Sequence, residues 1–238
     1  MILAPAMLLA SPAWGMGVKP IQVEMVSLGK DARAQVTVSN EDGREPLPVE
    51  AEILALTVGE KGEQELKPAG DEFLLLPPQT LIKAGGSQVF RLQWVGEPNL
   101  DASRSYMIKF NQIPVKPKEG RSAVQIVMSF GVQVNVAPPK GLPSLNVVSS
   151  GVEVDPRDGK RKPVLTVQNP TKIHALLPQS KIRLSGGSWS HTLEPDELGQ
   201  GLGIGLVQPG QRRRFILPVN VPSGVGNVQI ALEFKPVR

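Results

Sequence analysis

The chain of 238 residues is long enough for one large domain or two ordinary ones. Lys and Arg total 26 against 22 Asp and Glu, and this dispersed excess of +4, with only 4% aromatic residues, lacks the stacking platforms of a nucleic-acid binder. Glycine (24) and proline (23) beside 40% hydrophobic residues fit turn-rich β-structure better than disorder, and the absence of cysteine excludes disulfides and thiolate chemistry.

In chain order, Ile2 to Ala10 is an apolar run too short to span a bilayer, and small residues follow it. Residues 1–15 are expected to be an export signal whose basic start is cut short. No later run approaches ~18 consecutive apolar residues, so no membrane insertion is expected of the mature protein. "AQVTVSNEDG" alternates and breaks at Asn40 to Gly43, and "LPVEAEILAL" follows, then a turn-rich stretch. "FLLLPPQTLIKAGGSQVFRLQWVG" holds a short strand, a Pro-Pro break, a Gly-Gly turn and a strong strand from Gln88 to Val95. "SYMIKFNQIP" alternates again and stops at Pro114. Strands of this length between Gly, Pro, Asn and Asp clusters are the mark of an antiparallel sandwich, and no window carries a convincing amphipathic helix.

Arg121 to Pro139, "RSAVQIVMSFGVQVNVAPP", is the most unusual stretch. Val124, Ile126, Met128, Phe130, Val132, Val134 and Val136 fall on every second residue, the period of a strand with one apolar face. Gln125, Ser129, Gln133 and Asn135 fall on the other. Such a strand at a sheet edge invites association, so either it is covered or association is its purpose. "APPKGLPS", Ala137 to Ser144, has linker composition, and beyond it a second set of strands begins. "VTVSNED" returns there as "LTVQNPT", and "IKAGGSQVFRL" is echoed by "VQPGQRRRFIL", which suggests two similar sandwiches.

Together these phrases resemble the periplasmic chaperones of pilus assembly by the chaperone–usher route, PapD-like in type, from about Val18 to the C-terminus. Their order, rather than any one of them, carries the likeness. The resemblance implies an all-β fold of two immunoglobulin-like β-sandwich domains joined at an angle, expected over 16–138 and 139–238. It implies a periplasmic protein whose partners are pilus subunits and an outer-membrane usher. The last strand of the first domain would be lent to a subunit whose own sheet lacks one, a mode of recognition known for chaperone–pilin pairs. By position in the family pattern, Val124, Ile126 and Met128 would fill the subunit's groove, with Ser122 before them. Two family cations that anchor a subunit's terminal carboxylate fall here on Gln22 and Gln133, and an arginine contacting the second domain falls on Ala137. The anchor is therefore altered in this chain. A different class, a secreted two-domain β-sandwich adhesion or scaffold protein, fits the same composition.

No catalytic constellation is visible, so an enzyme is not expected. His174, in a strand-like context, and His191, in a loop-like one, lack ligand spacing with a partner; both are expected at the surface, with no metal or cofactor. "GLGIGL", Gly201 to Leu206, lacks the strand-to-helix setting of a phosphate loop and is expected to be a flexible inter-strand loop. "DELG" is expected to be a solvated turn, and Arg212 to Arg214 an edge strand with alternating exposed arginines.

Overall fold

The computed structural model describes residues 15–69, 71–114 and 127–236. Among these residues, alternating apolar side chains help form ten strands in the first half. They are β1 (Met16–Lys19), β2 (Gln22–Val26), β3 (Arg33–Asn40), β4 (Leu47–Val58) and β5 (Gln64–Pro68), then β6 (Phe73–Leu76), β7 (Gln79–Ile82), β8 (Ser87–Trp94), β9 (Arg104–Gln112) and β10 (Ser129–Ala137). One sheet has the order β1-β3-β8-β6, the other β2-β10-β9-β4-β5 with β7 also on β4. The chain changes sheets between β1 and β2, so its first extended segment closes one edge of each. Val36, Val38, Phe90 and Leu92 of the first sheet meet Val49, Ile108, Phe110 and Val132 of the second in a buried core. Val, Leu and Ile carry that core, as the scarcity of aromatics requires.

β10 ends at Ala137, and regular structure resumes at Asn146. The second half comprises β11 (Asn146–Val154), β12 (Arg161–Gln168), β13 (Ala175–Leu176), β14 (Ser180–Gly186), β15 (Trp189–Leu193), a helix α1 (Pro195–Leu202), β16 (Leu206–Val207), β17 (Arg212–Ile216) and β18 (Gln229–Phe234). β11-β12-β17 and β15-β14-β18 enclose a separate core around Leu165, Val167, Ile182, Leu184 and Leu217. The fold is thus all-β, two immunoglobulin-like sandwiches in sequence. No helix among the described residues is long and apolar enough to cross a membrane.

The two sequence echoes have a common physical basis. Asn40, closing β3, is buried; its amide donates to the carbonyls of Glu45 (2.9 Å) and Ile82 (3.3 Å) and accepts from the Asp42 N–H (3.0 Å). Asn169, just past β12, repeats the pattern with the carbonyls of Ile173 (2.7 Å) and Val207 (3.1 Å) and the Thr171 N–H (3.0 Å). In each domain the first echo is therefore tied to the second through one amide. Each second echo turns on a glycine with positive φ, Gly85 (65°) or Gly210 (72°), which other residues adopt only with strain.

Several local expectations are corrected. "DELG" lies within α1, where Leu198 is buried, Pro195 occupies the first turn and the Glu197 carboxylate accepts from the Glu194 N–H (3.0 Å). Gly201 and Leu202 end this helix, and Leu206 begins β16, so "GLGIGL" is partly ordered structure. His174 lies just before β13 rather than in a strand and is buried, whereas His191 is in β15, half-buried and stacked on Trp189 at 6.4 Å. β17 is an edge strand as expected, but its arginines do not simply alternate outward. Arg212 is exposed and Arg214 pairs with Glu153, while the Arg213 guanidinium is enclosed over the Phe215 ring and donates to the Leu206 carbonyl (2.6 Å).

The sandwiches meet through a small apolar cluster, Leu56 and Val58 of β4 against Leu176 and Leu206. Gln208 acts there as a two-residue strand mimic: its amide donates to the Leu56 carbonyl (2.8 Å) and accepts from the Val58 N–H (2.9 Å). The Arg214 N–H reaches the Glu60 carbonyl (2.7 Å) and the Ser103 N–H the Lys172 carbonyl (2.8 Å).

Candidate subunit-binding strand and domain junction

β10 pairs antiparallel with β9 along its length, Ser129 opposite Asn111 through Val136 opposite Arg104. On its other side β2 runs parallel and covers it only from Gln133, which faces Gln22, to Ala137. The last contact of that ladder is the Gln133 N–H to the Ile21 carbonyl (3.0 Å). Among the described residues nothing pairs with this second edge from Ser129 to Val132, the arrangement that accepts an added strand. The part covered by β2 is core, and the part beyond it is an edge among the described residues.

Val132, Val134 and Val136 are wholly buried inside the first sandwich. Phe130, of the same parity, is exposed at 38%, beyond the reach of the core. Met128 packs partly against the core cluster. Val124 and Ile126, the other two expected groove-filling side chains, and Ser122 lie outside the described residues.

The polar face is covered at its C-terminal end. Gln133 is only 5% exposed and Asn135 is fully buried. Register places Gln22 and Glu24 of β2, Gln133 and Asn135 of β10, and Ser105 and Met107 of β9 on this outward side, which turns toward the second domain. Gln22 and Gln133 are direct neighbours on adjacent strands, so the sheet brings together the two positions where the anchor was expected. Gly131 leaves room on this face: a Cβ there would stand 2.6 Å from the Met107 sulfur.

Sequence reasoning missed the centre of the site. Glu24 Oε1 accepts from Gln22 Nε2 (2.8 Å) and Asn135 Nδ2 (2.8 Å), and its Oε2 contacts His174 Nε2 (2.5 Å) across the domain junction. Ser103 Oγ lies 3.1 Å from His174 Nδ1 and accepts from its N–H (3.1 Å). Burial pushes the Glu24 carboxyl up, but the His174 hydrogen bond and charge, with Asn135 and Gln22, outweigh it and hold the group below its ordinary value. The Glu24 side chain remains 45% exposed, so this ionised group faces both solvent and the second domain. Among the described residues no group of three or more His, Cys, Asp or Glu is placed to hold a metal ion.

Comparison with solved structures finds the same two-sandwich architecture. The class 5 fimbriae chaperone CfaA aligns over 94% of both chains at 15% identity with a TM-score of 0.57. A chain from the Salmonella enterica SafA pilin complex with the SafB chaperone aligns over 95% of this chain and 99% of its own, at 15% identity and a TM-score of 0.54. One from the CsuC–CsuE chaperone–tip adhesion subunit complex of Acinetobacter baumannii aligns over 88% and 93%, at 16% and 0.52. At these identities the likeness shows the fold. A search of curated proteins by sequence finds no match. With residues 17–142, more than half of its length, matched by the model of the pili and flagellar-assembly chaperones (PapD N-terminal domain), the chain belongs to that family.

Proposed function

We propose that the protein is a non-enzymatic periplasmic chaperone that captures pilus subunits by lending them a strand and delivers them to an outer-membrane usher. The observation that carries this reading is the unpaired edge of β10 from Ser129 to Val132, where β2 has stopped. The sequence continues N-terminally from that edge with the alternating Val124, Ile126 and Met128, which we assign to the subunit's groove. Each such side chain, fully buried, contributes ~1.5–3 kcal/mol, enough in threes to hold a client before ordering costs are deducted. The working domains are 16–138, carrying the donor strand, and 139–238, with residues 1–15 as the export signal. Gln22 and Gln133 occupy the anchor positions but bring no cation to them.

The test compares Ile126→Asp with Ile53→Asp, whose side chain packs on the first domain's core. Full-length protein is recovered from periplasm and bound subunits are identified by mass. Ile126→Asp is expected to stay folded with an unchanged thermal midpoint yet lose its subunits, because a carboxylate entering an apolar groove costs several kcal/mol. Ile53→Asp is expected to unfold the domain. Subunit capture unchanged in folded Ile126→Asp overturns strand donation, and so does a protein that fails to fold, since the residue would then be core.

A further inference from the structure

The polar floor beside β10 has a fixed hydrogen-bonding sense. An ionised carboxylate only accepts, so each neighbour of Glu24 must donate to it. Gln22 therefore turns its Nε2 inward to Glu24 Oε1, and Asn135 does the same with Nδ2. That leaves Asn135 Oδ1 as acceptor, filled by Ser105 Oγ (2.8 Å) and by Gln133 Nε2 (3.5 Å). Each glutamine thus turns one N–H into the floor and keeps a second, and Gln22 Oε1 and Gln133 Oε1 take no hydrogen bond among the described residues. What the floor presents is one half-exposed carboxylate beside two neutral amides.

The only cation at the outward positions of β2, β4, β9 and β10 is Lys109. By register it stands two strands and four residues from Glu24, about 16 Å away at ordinary strand spacing and rise. That exceeds the Debye length at physiological salt, so Lys109 does not offset the charge of Glu24.

We infer that this floor selects a client segment carrying a lysine or arginine side chain, and disfavours a terminal carboxylate. The inference rests on the strand-lending reading above, whose client it specifies. A cation would donate hydrogen bonds to the amide oxygens of Gln22 and Gln133 and a charge-assisted one to Glu24. A carboxylate would meet the like charge of Glu24, with only neutral amide N–H groups to bind it.

The experiment uses full-length protein and three synthetic peptides of one alternating Val/Thr/Ser sequence, differing only at the last residue. One ends in lysine amide, one in norleucine amide and one in norleucine with a free carboxylate. Binding is measured by fluorescence anisotropy at neutral pH and low salt. The lysine peptide is expected to bind about tenfold tighter than the carboxylate peptide, with the neutral amide between them, the size of one charge-assisted contact. Glu24→Gln is expected to reduce that ratio to below about twofold, and Gln22→Arg to reverse it. A carboxylate peptide that binds as well as the lysine peptide overturns the inference, as does a ratio that survives Glu24→Gln or a failure of all three to bind. Repeating the series with Ile126→Asp separates the two readings. Equal weakening of all three peptides belongs to strand lending, whereas the ratio among them belongs to the floor.

Discussion

Gln208 gives the sharpest test of how the domains are held together. Its amide completes two hydrogen bonds with the backbone of β4, to Leu56 and Val58, beside the apolar cluster those residues share with Leu176 and Leu206. Gln208→Ala removes both partners and leaves a part-buried N–H and carbonyl unsatisfied. Each hydrogen bond contributes ~0.5–1.5 kcal/mol net, so a loss of about 1–3 kcal/mol is expected. For a chain of this size that corresponds to a fall of ~2–4 °C per kcal/mol in the unfolding midpoint. Calorimetry is the assay, because loosening the junction also separates the two domain transitions. Gln208→Glu refines the result: its oxygens still accept from Val58 but face the Leu56 carbonyl without a proton, so it retains at most half of the effect. A Gln208→Ala protein that unfolds in one transition within ~0.5 kcal/mol of the parent would refute this account of the junction.

The remaining expectations are shorter. Asn40→Ala and Asn169→Ala each remove the partner of at least two carbonyls and an N–H, so each is expected to cost ~2–4 kcal/mol, with urea unfolding reporting loss in the first and second domain respectively; a loss below ~1 kcal/mol in either would break the equivalence of the two echoes. Burial raises the Glu24 carboxyl, but its donors lower it further, below 4.5. A lowered folded value means that its stabilisation is complete above pH 4.5 and is lost as pH falls through the folded pKa. Thermal midpoints measured down to pH 3 are therefore expected to show an acid loss that Glu24→Gln lacks, and identical acid profiles would remove the carboxylate's role.

The fold was largely legible because two signals survive at the level of single phrases. Alternation marked β3, β4, β8 and β9, and the repeated Asn, Gly and turn residues marked the second sandwich as a copy of the first. The missed features share a physical cause, which is that their partners are distant in sequence. Gln133 and Asn135 alternate like solvent-facing residues but are buried, Asn135 in hydrogen bonds with Glu24, Ser105 and Gln133. His174 stands in an irregular stretch before β13 with no periodic pattern, and its partner Glu24 comes from β2, 150 residues earlier. Helix α1 has eight residues and buries one of them fully, Leu198, too little for a period to show. Its start was nonetheless written in "EPDE", a proline in the first turn and the Glu194–Glu197 capping pair. Gln22 and Gln133 came together because the family pattern supplies the register, which a single sequence does not.

Ala137 falls where the resemblance led us to expect a cation reaching the second domain, and the junction is held by other contacts. Lys172 and Asp101 pair across the junction, but both are exposed, and such pairs contribute ~0–1 kcal/mol. Leu56, Val58, Leu176 and Leu206 are nearly fully buried, and each carries ~1.5–3 kcal/mol of burial, several times any surface ion pair. Gln208 and the Ser103 N–H add backbone hydrogen bonds that salt does not screen. The domains are thus joined chiefly by apolar and neutral contacts. That leaves Glu24 in a different position from a structural ion pair. Its contact with His174 crosses the junction, yet nearly half of its side chain stays open, and its other oxygen orients the amides of Gln22 and Asn135. A group that served only to fasten the domains would be expected to be enclosed, as the Asp155 carboxylate is by Arg157 and Lys162 in the β11–β12 turn. Glu24 instead sets the polarity of the surface beside the open edge of β10, where a client strand would lie.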